Sequence, residues 1–204
     1  MTSLTRRTLA LALAAAPASA LAQGAGGLSA ADQALVNRAV AYLENLDEAK
    51  GRFVQTDARG AVTEGDVYIK RPGKARFAYD PPVGLLVVSD GGRVSIANSR
   101  LKTFDSYPLM ATPLSLFLAR QIRLDRGVVI SRVTRLSDGF SITARDGKKQ
   151  AEGQITLSFT DSPLRLAGWT VTDAQGQSTR IRLTRLERTS GLASSLFVLE
   201  DPRP

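Results

Sequence analysis

Glu64 and Asp66 stand two residues apart in "EGDVYIKR". On an extended strand that spacing puts both carboxylates on one face, about 7 Å apart. A paired acid and base at such a distance is the arrangement a glycosidase uses, although its two carboxylates usually face each other across a cleft from different strands. The alternative is a solvated strand face near a turn, and a single strand favours it. Other catalytic chemistry is largely removed by composition, because the chain has neither histidine nor cysteine. Ser-His-Asp and Cys-His catalysis are therefore closed to it, as are the commonest zinc and redox sites. No cofactor is expected.

The remaining reactive-looking side chains are arginines. Arg71 ends an alternating strand, followed directly by Pro72, where a surface salt bridge is the ordinary reading. In "STRIRLTRLER", Arg180 and Arg182 alternate with Ile181 and Leu183. That run is either a water-facing side or a surface that steers an acidic partner.

The chain's formal charge is +8, with 27 basic and 19 acidic residues. Its first 22 residues, "MTSLTRRTLALALAAAPASALA", have a charged start, an Ala/Leu-rich middle and a small-residue end, the pattern of a signal peptide cut before Gln23. The mature domain is then 23–204. Removing Arg6 and Arg7 with the leader lowers the charge by two, to +6. Those two arginines also resemble a twin-arginine signal, with Leu9 where such signals usually carry Phe, or they form a plain positive leader. Export separates this charge from nucleic acid, so no nucleic-acid partner is expected; acidic headgroups or an acidic protein fit better. No later stretch is apolar enough to span a membrane, and a soluble periplasmic monomer is expected.

These residues must be held by short strands. "LSAADQALVNRAVAYLENL" predicts one helix, capped by Ser29 with Asp32 three residues on and carrying Leu35, Ala39, Tyr42, Leu43 and Leu46 as its apolar stripe. From Gly51 onward, alternating runs separated by turn residues predict about ten or eleven strands. Asp90-Gly91-Gly92, Asp138-Gly139 and Asp146-Gly147 are hairpin signals. With no helix-length crossovers the sheet should be an antiparallel meander, long enough to curl around an interior. One break, "ATPLSLFLARQIR", puts Thr112 as cap and Pro113 at the first helical position of a short helix, apolar through Leu114, Leu116, Phe117 and Leu118. A helix so apolar must be buried, and it suits a plug or lid. Phe53, Val67, Ile69, Phe77, Tyr79, Leu86, Val88, Ile96, Phe104 and Trp169 are the strand positions that make a core, or line a cavity for a hydrophobic ligand together with Leu114 and Phe117.

The succession "GRFVQ", "EGDVYIKRPGKARFAYDPP", "LLVVSDGGRV" and "TPLSLFLA", after a leader and a helix, resembles the LolA family of periplasmic lipoprotein carriers. The resemblance extends from about Leu28 to the C-terminus, and its informative motifs lie between Phe53 and Leu118. It implies a mainly β fold with added α: a single curved antiparallel sheet forming an unclosed half-barrel, with helices as a lid over a hydrophobic cavity for acyl chains. It implies acylated lipoproteins as cargo, an inner-membrane lipoprotein-releasing ABC transporter as loader and an outer-membrane acceptor, LolB or similar, as unloader. It also implies a lid latch, since in the family the arginine of a "KRP" match holds the lid by bonds to backbone carbonyls, and that position is Arg71. Phe77 stands where the family often has Trp.

Two departures accompany the resemblance. With "LFVLEDPRP" as its last residues, the chain is expected to lack the extended C-terminal loop and strand of the best-known members, and the leader resembles a different export route. Alternative readings are a LolA-like carrier of another lipid, a polyterpenoid or glycolipid, and an envelope-stress sensor of mislocalised lipoproteins. The sensor would be expected to carry a further regulator-binding domain.

Overall fold

The structure is a computed structural model that describes residues 27–112, 114–122, 128–147 and 153–201. The expected leader over 1–22, Pro113 and the side chain of Leu116 lie outside the described residues.

Helix α1, Ala30–Glu44, begins where its capping chemistry predicts. The Ser29 hydroxyl accepts from the Asp32 amide at 3.1 Å and donates to the Asp32 carboxylate at 2.7 Å, satisfying one of the amides that a helix start leaves bare. Asn45 closes the other end by donating its side-chain amide to the Ala41 carbonyl at 2.8 Å. The buried stripe is Leu35, Val36, Ala39 and Leu43, continued by Leu46. Val36 joins the expected set and Tyr42 is only partly buried.

Among the described residues eleven strands follow: β1 Glu48–Thr56, β2 Val62–Lys70, β3 Lys74–Tyr79, β4 Leu85–Asp90, β5 Arg93–Asn98, β6 Thr103–Pro108, β7 Val128–Arg135, β8 Gly139–Asp146, β9 Gln154–Asp161, β10 Leu164–Thr172 and β11 Ser178–Arg188. All pairings are antiparallel. The order β6-β5-β4-β3-β2-β1-β11-β10-β9-β8-β7 departs from the single meander expected from hairpin spacing. There are two meanders, β1 to β6 and β7 to β11, joined where the first strand pairs with the last. Hairpin chemistry is local and specifies each meander; the β1–β11 seam is a long-range pairing that no turn residue announces. β6 and β7 are the two edges and do not pair, so the sheet remains an open half-barrel.

The chain between those edges supplies a 3₁₀ turn, Leu109–Ala111, and the five-residue helix α2, Leu114–Leu118. Thr112 donates its hydroxyl back to the Leu109 carbonyl at 2.8 Å. Phe117 and Leu118 are each about 1% exposed, so the apolar run is buried as expected. Alternation along the strands sends Phe53, Val67, Ile69, Phe77, Phe140, Ile142, Phe159 and Trp169 to one face, where α1 and α2 cover them. The outer face is largely polar, apart from apolar positions on β3 to β5, part of which the C-terminal segment covers.

Candidate functional site

The inner face is an aromatic interior roofed by two helices. Phe53 meets Phe77 and Tyr79 edge-on, with ring centroids 5.6 and 5.1 Å apart. Phe77 meets Trp169 at 5.9 Å, and Phe117 of α2 stacks on Trp169 at 5.5 Å with 26° between the planes. Gly65, opposite both Phe53 and Tyr79, makes room for this cluster. A Cβ there would stand 2.9 Å from the Phe53 ring and 2.3 Å from the Ala78 carbonyl oxygen. Tyr79 reaches the edge of the apolar region, donating its hydroxyl to Gln55 at 2.6 Å; burial pushes its pKa up to about 12.

Register decides which expected lining residues share this interior. Val67 faces Phe77, Phe77 faces Val87, and Val87 faces Ile96, so Val67, Ile69, Phe77, Tyr79 and Ile96 lie on the inner side with Phe53 and Trp169. Leu86, Val88 and Phe104 occupy the alternate positions and point to the outer side. Leu86 pairs with Ala78 and Ala97, and Phe104 pairs with Ala97. The run "LLVV" is apolar at every position, with burial on both faces of the strand, and composition cannot say which residue faces which way. Val88 is 2% exposed on the outer side, where the buried Phe197 of the C-terminal 3₁₀ turn, Ser194–Phe197, packs over β3 and β4. Leu114 is partly buried against the core, beside the fully buried Phe117.

Arg71 stands where the two roof helices end. Its guanidinium donates to the Leu43 carbonyl in the last turn of α1 and to the Ala119 carbonyl just after α2, the latter at 2.5 Å. The backbone is tied in as well: the Arg71 amide donates to the Asp47 carbonyl at 2.7 Å, and the Gly73 amide to the Leu118 carbonyl at 2.8 Å. Gly73 has φ +78°, which lets "KRPG" turn its amide onto α2. Ser89, buried, donates to the Gly73 carbonyl at 2.6 Å and holds that turn from β4. Burial pulls the Arg71 pKa below the ordinary arginine value, opposed by the negative charges of Glu44 and Asp47. Helix α1 has no basic residue in its own last turn. Arg71 therefore supplies from the sheet the positive charge that favours a helix C-terminus. The parts that residue types did not announce are Gly73 and Ser89; the Gly after Pro72 was the available signal.

The carboxylate pair has another use. Glu64 and Asp66 lie on the outer face around Arg52, which donates to Asp80 at 2.8 and 2.5 Å and to Asp66 at 3.3 Å, with Glu64 at 3.8 Å. Hydrogen bonding to Arg52 holds Asp80 below the usual carboxylate range. All three acids thus surround one guanidinium, the geometry of a surface ion cluster rather than of an acid and base facing a substrate.

A family model described as outer membrane lipoprotein carrier protein LolA matches residues 44–200. The chain is 27% identical over 168 residues to the outer-membrane lipoprotein carrier protein of Methylobacillus flagellatus, covering 77% of this chain and 80% of that one. With the protein of the same name from Pseudomonas aeruginosa it shares 26% identity over 198 residues, 90% of this chain and 91% of that one. Among solved structures, an uncharacterized conserved protein from Thermus thermophilus superposes with a TM-score of 0.49 at 13% identity, over 84% of this chain and 96% of that one. A LolA superfamily protein from Nitrosomonas europaea superposes with a TM-score of 0.43 at 10% identity, over 80% and 97%.

Proposed function

This chain belongs to the LolA family of outer-membrane lipoprotein carrier proteins, and we propose on that footing that it is an exported, periplasmic carrier whose half-barrel shelters the acyl chains of lipoproteins. It takes cargo from an inner-membrane lipoprotein-releasing ABC transporter and yields it to an outer-membrane acceptor of the LolB kind. It acts by binding and release and carries out no bond chemistry. The cargo side is the inner face, with Phe53, Val67, Ile69, Phe77, Tyr79, Ile96 and Trp169 as floor and Leu114 and Phe117 as roof.

The observation that carries this reading is the fastening of both roof helices by one arginine over an aromatic interior. Each CH₂ buried is worth about 0.8 kcal/mol, so multiply acylated proteins do not cross water unaided at a useful rate. A carrier must accept such chains and also give them up. In the closed arrangement Phe117 occupies the interior itself, stacked on Trp169, so cargo must displace the roof and the roof competes to return. Because the guanidinium bonds are remade only when the roof closes, they favour release. Arg suits this role: it has five donors and stays charged at physiological pH.

The test is loading. Inner-membrane vesicles carrying the transporter and an acylated lipoprotein are incubated with ATP and the purified protein. A water-soluble one-to-one complex with acylated cargo is expected; recovery of only unacylated cargo, or none, sinks the reading. Mass spectrometry of what co-purifies from the periplasm distinguishes lipoprotein cargo from a polyterpenoid or glycolipid.

A further inference from the structure

The outer face of β9, β10 and β11 carries positive charge that nothing else in the fold consumes. Ile181 is buried, at 7% exposure, so its neighbours Arg180 and Arg182 point outward, and both are exposed. Arg180 sits opposite Thr170, which sits opposite Thr156; Arg182 sits opposite Gly168, which sits opposite Ser158. The bulge between Leu166 and Gly168 leaves a shallow depression of about 360 Å³, lined by those two arginines and three hydroxyl residues. Arg165, exposed and opposite Thr160, extends the face along β10.

Among the described residues the side chains of Arg165, Arg180 and Arg182 make no hydrogen bond or ion pair. Several other cations on the sheet are answered, Arg52 by three carboxylates, Lys70 by Glu48 and Arg185 by Glu187. Unanswered arginines spaced about 7 Å along a strand and interleaved with hydroxyls match a layer of phosphates, which arginine binds through two parallel N–H donors. An acidic protein partner fits less well, because protein interfaces rely on a buried aromatic or large apolar anchor. The outward positions of these strands carry threonine, serine and arginine instead.

We propose that the outer face of β9–β11, with Arg165, Arg180 and Arg182 as its contacts, docks on the phosphate layer of an anionic phospholipid membrane. This goes beyond carriage of cargo. Docked through the outer face, the protein keeps its roof helices and inner face free, because they lie on the other side of the sheet.

The test is co-sedimentation of the protein, purified after export, with vesicles of phosphatidylglycerol and phosphatidylcholine in equal parts, and with phosphatidylcholine alone. No cargo or transporter is present, so the result is independent of the carrier reading. Binding is expected only to the anionic vesicles and is expected to be lost near 1 M salt, where the Debye length is about 3 Å. R165Q/R180Q/R182Q should weaken it roughly a hundredfold, about fivefold for each residue. R59Q/K74Q/K102Q removes the same charge elsewhere and should leave binding near wild type, and circular dichroism confirms that both variants fold. Three results overturn the proposal: no dependence on anionic lipid, equal weakening by the two triple variants, or retention on immobilised polyglutamate without vesicle binding.

Discussion

At the scale of single residues, Arg71 is bound into two helices and one turn at once. Hydrogen bonds from a charged donor contribute about 1.5–3 kcal/mol each, and a carbonyl left buried and unpaired costs about 1–3 kcal/mol. Arg71→Leu removes the donors to Leu43 and Ala119 together. It should still accept cargo but pass it poorly to the acceptor, because the roof no longer regains its bonds on emptying. Amide exchange in 114–119 should quicken in the same variant; unchanged transfer would argue against the latch. Gly65 is a second single-residue constraint. Gly65→Ala presses a methyl against the Ala78 carbonyl and the Phe53 ring, and such overpacking costs typically about 1–3 kcal/mol. A thermal midpoint several degrees lower is expected, whereas wild-type stability would mean that the Ala78 carbonyl and the Phe53 ring both move aside freely.

At the scale of elements, the segment after β11 lies as a strap over the outer face. The Leu192 amide donates to the Glu48 carboxylate at 2.7 Å, Lys70 donates to the Leu192 carbonyl at 2.8 Å, and Arg76 donates to the Leu196 carbonyl at 3.0 Å. Phe197 is the strap's buried anchor. Glu48 is held below the ordinary glutamate pKa, first by its bond with Lys70 and then by the Leu192 amide. A depressed acid stabilises the folded form above its unfolded pKa, about 4.3, and that contribution is lost as pH falls through the lower folded value. The strap should therefore loosen below about pH 4, seen as faster hydrogen exchange in 189–201 before the strands exchange. Glu48→Gln should loosen it at neutral pH and flatten this pH dependence, and equal acid sensitivity in the variant would remove Glu48 as the cause.

At the scale of the whole molecule, the roof fills the interior that cargo must enter, so loading has to change the roof. Trp169 is the chain's single tryptophan, and it touches both the floor ring Phe77 and the roof ring Phe117. Its fluorescence should shift when a lipopeptide or acyl detergent displaces Phe117, and Phe117→Ala should show most of that shift without ligand. Identical emission in free, loaded and Phe117→Ala protein would place the acyl chains somewhere other than the inner face. The seam between β1 and β11 ties this arrangement together, because it joins the meander carrying Phe53 and Phe77 to the one carrying Trp169.

Local chemistry in the sequence determined the elements. Ser29 starts the helix, Asp90-Gly91-Gly92 turns a hairpin, and alternation marks most of the eleven strands, since caps, turns and pleats act over a few residues. Local chemistry read Arg71 as a surface salt bridge, and it was the family resemblance of its motif, "KRPG", that singled it out as a latch. Only the tertiary structure decided the rest. Pairing β1 with β11 is a contact between residues more than a hundred apart, and within the first meander the registers put Phe77 and Ile96 on one face and Leu86, Val88 and Phe104 on the other, faces that become inner and outer only when the helices and the C-terminal segment cover them. An apolar side chain gains by burial on either face of a sheet, so its identity carries no side. That side is set by what covers each face: two helices fastened by Arg71 within, and a C-terminal strap anchored by Phe197 without.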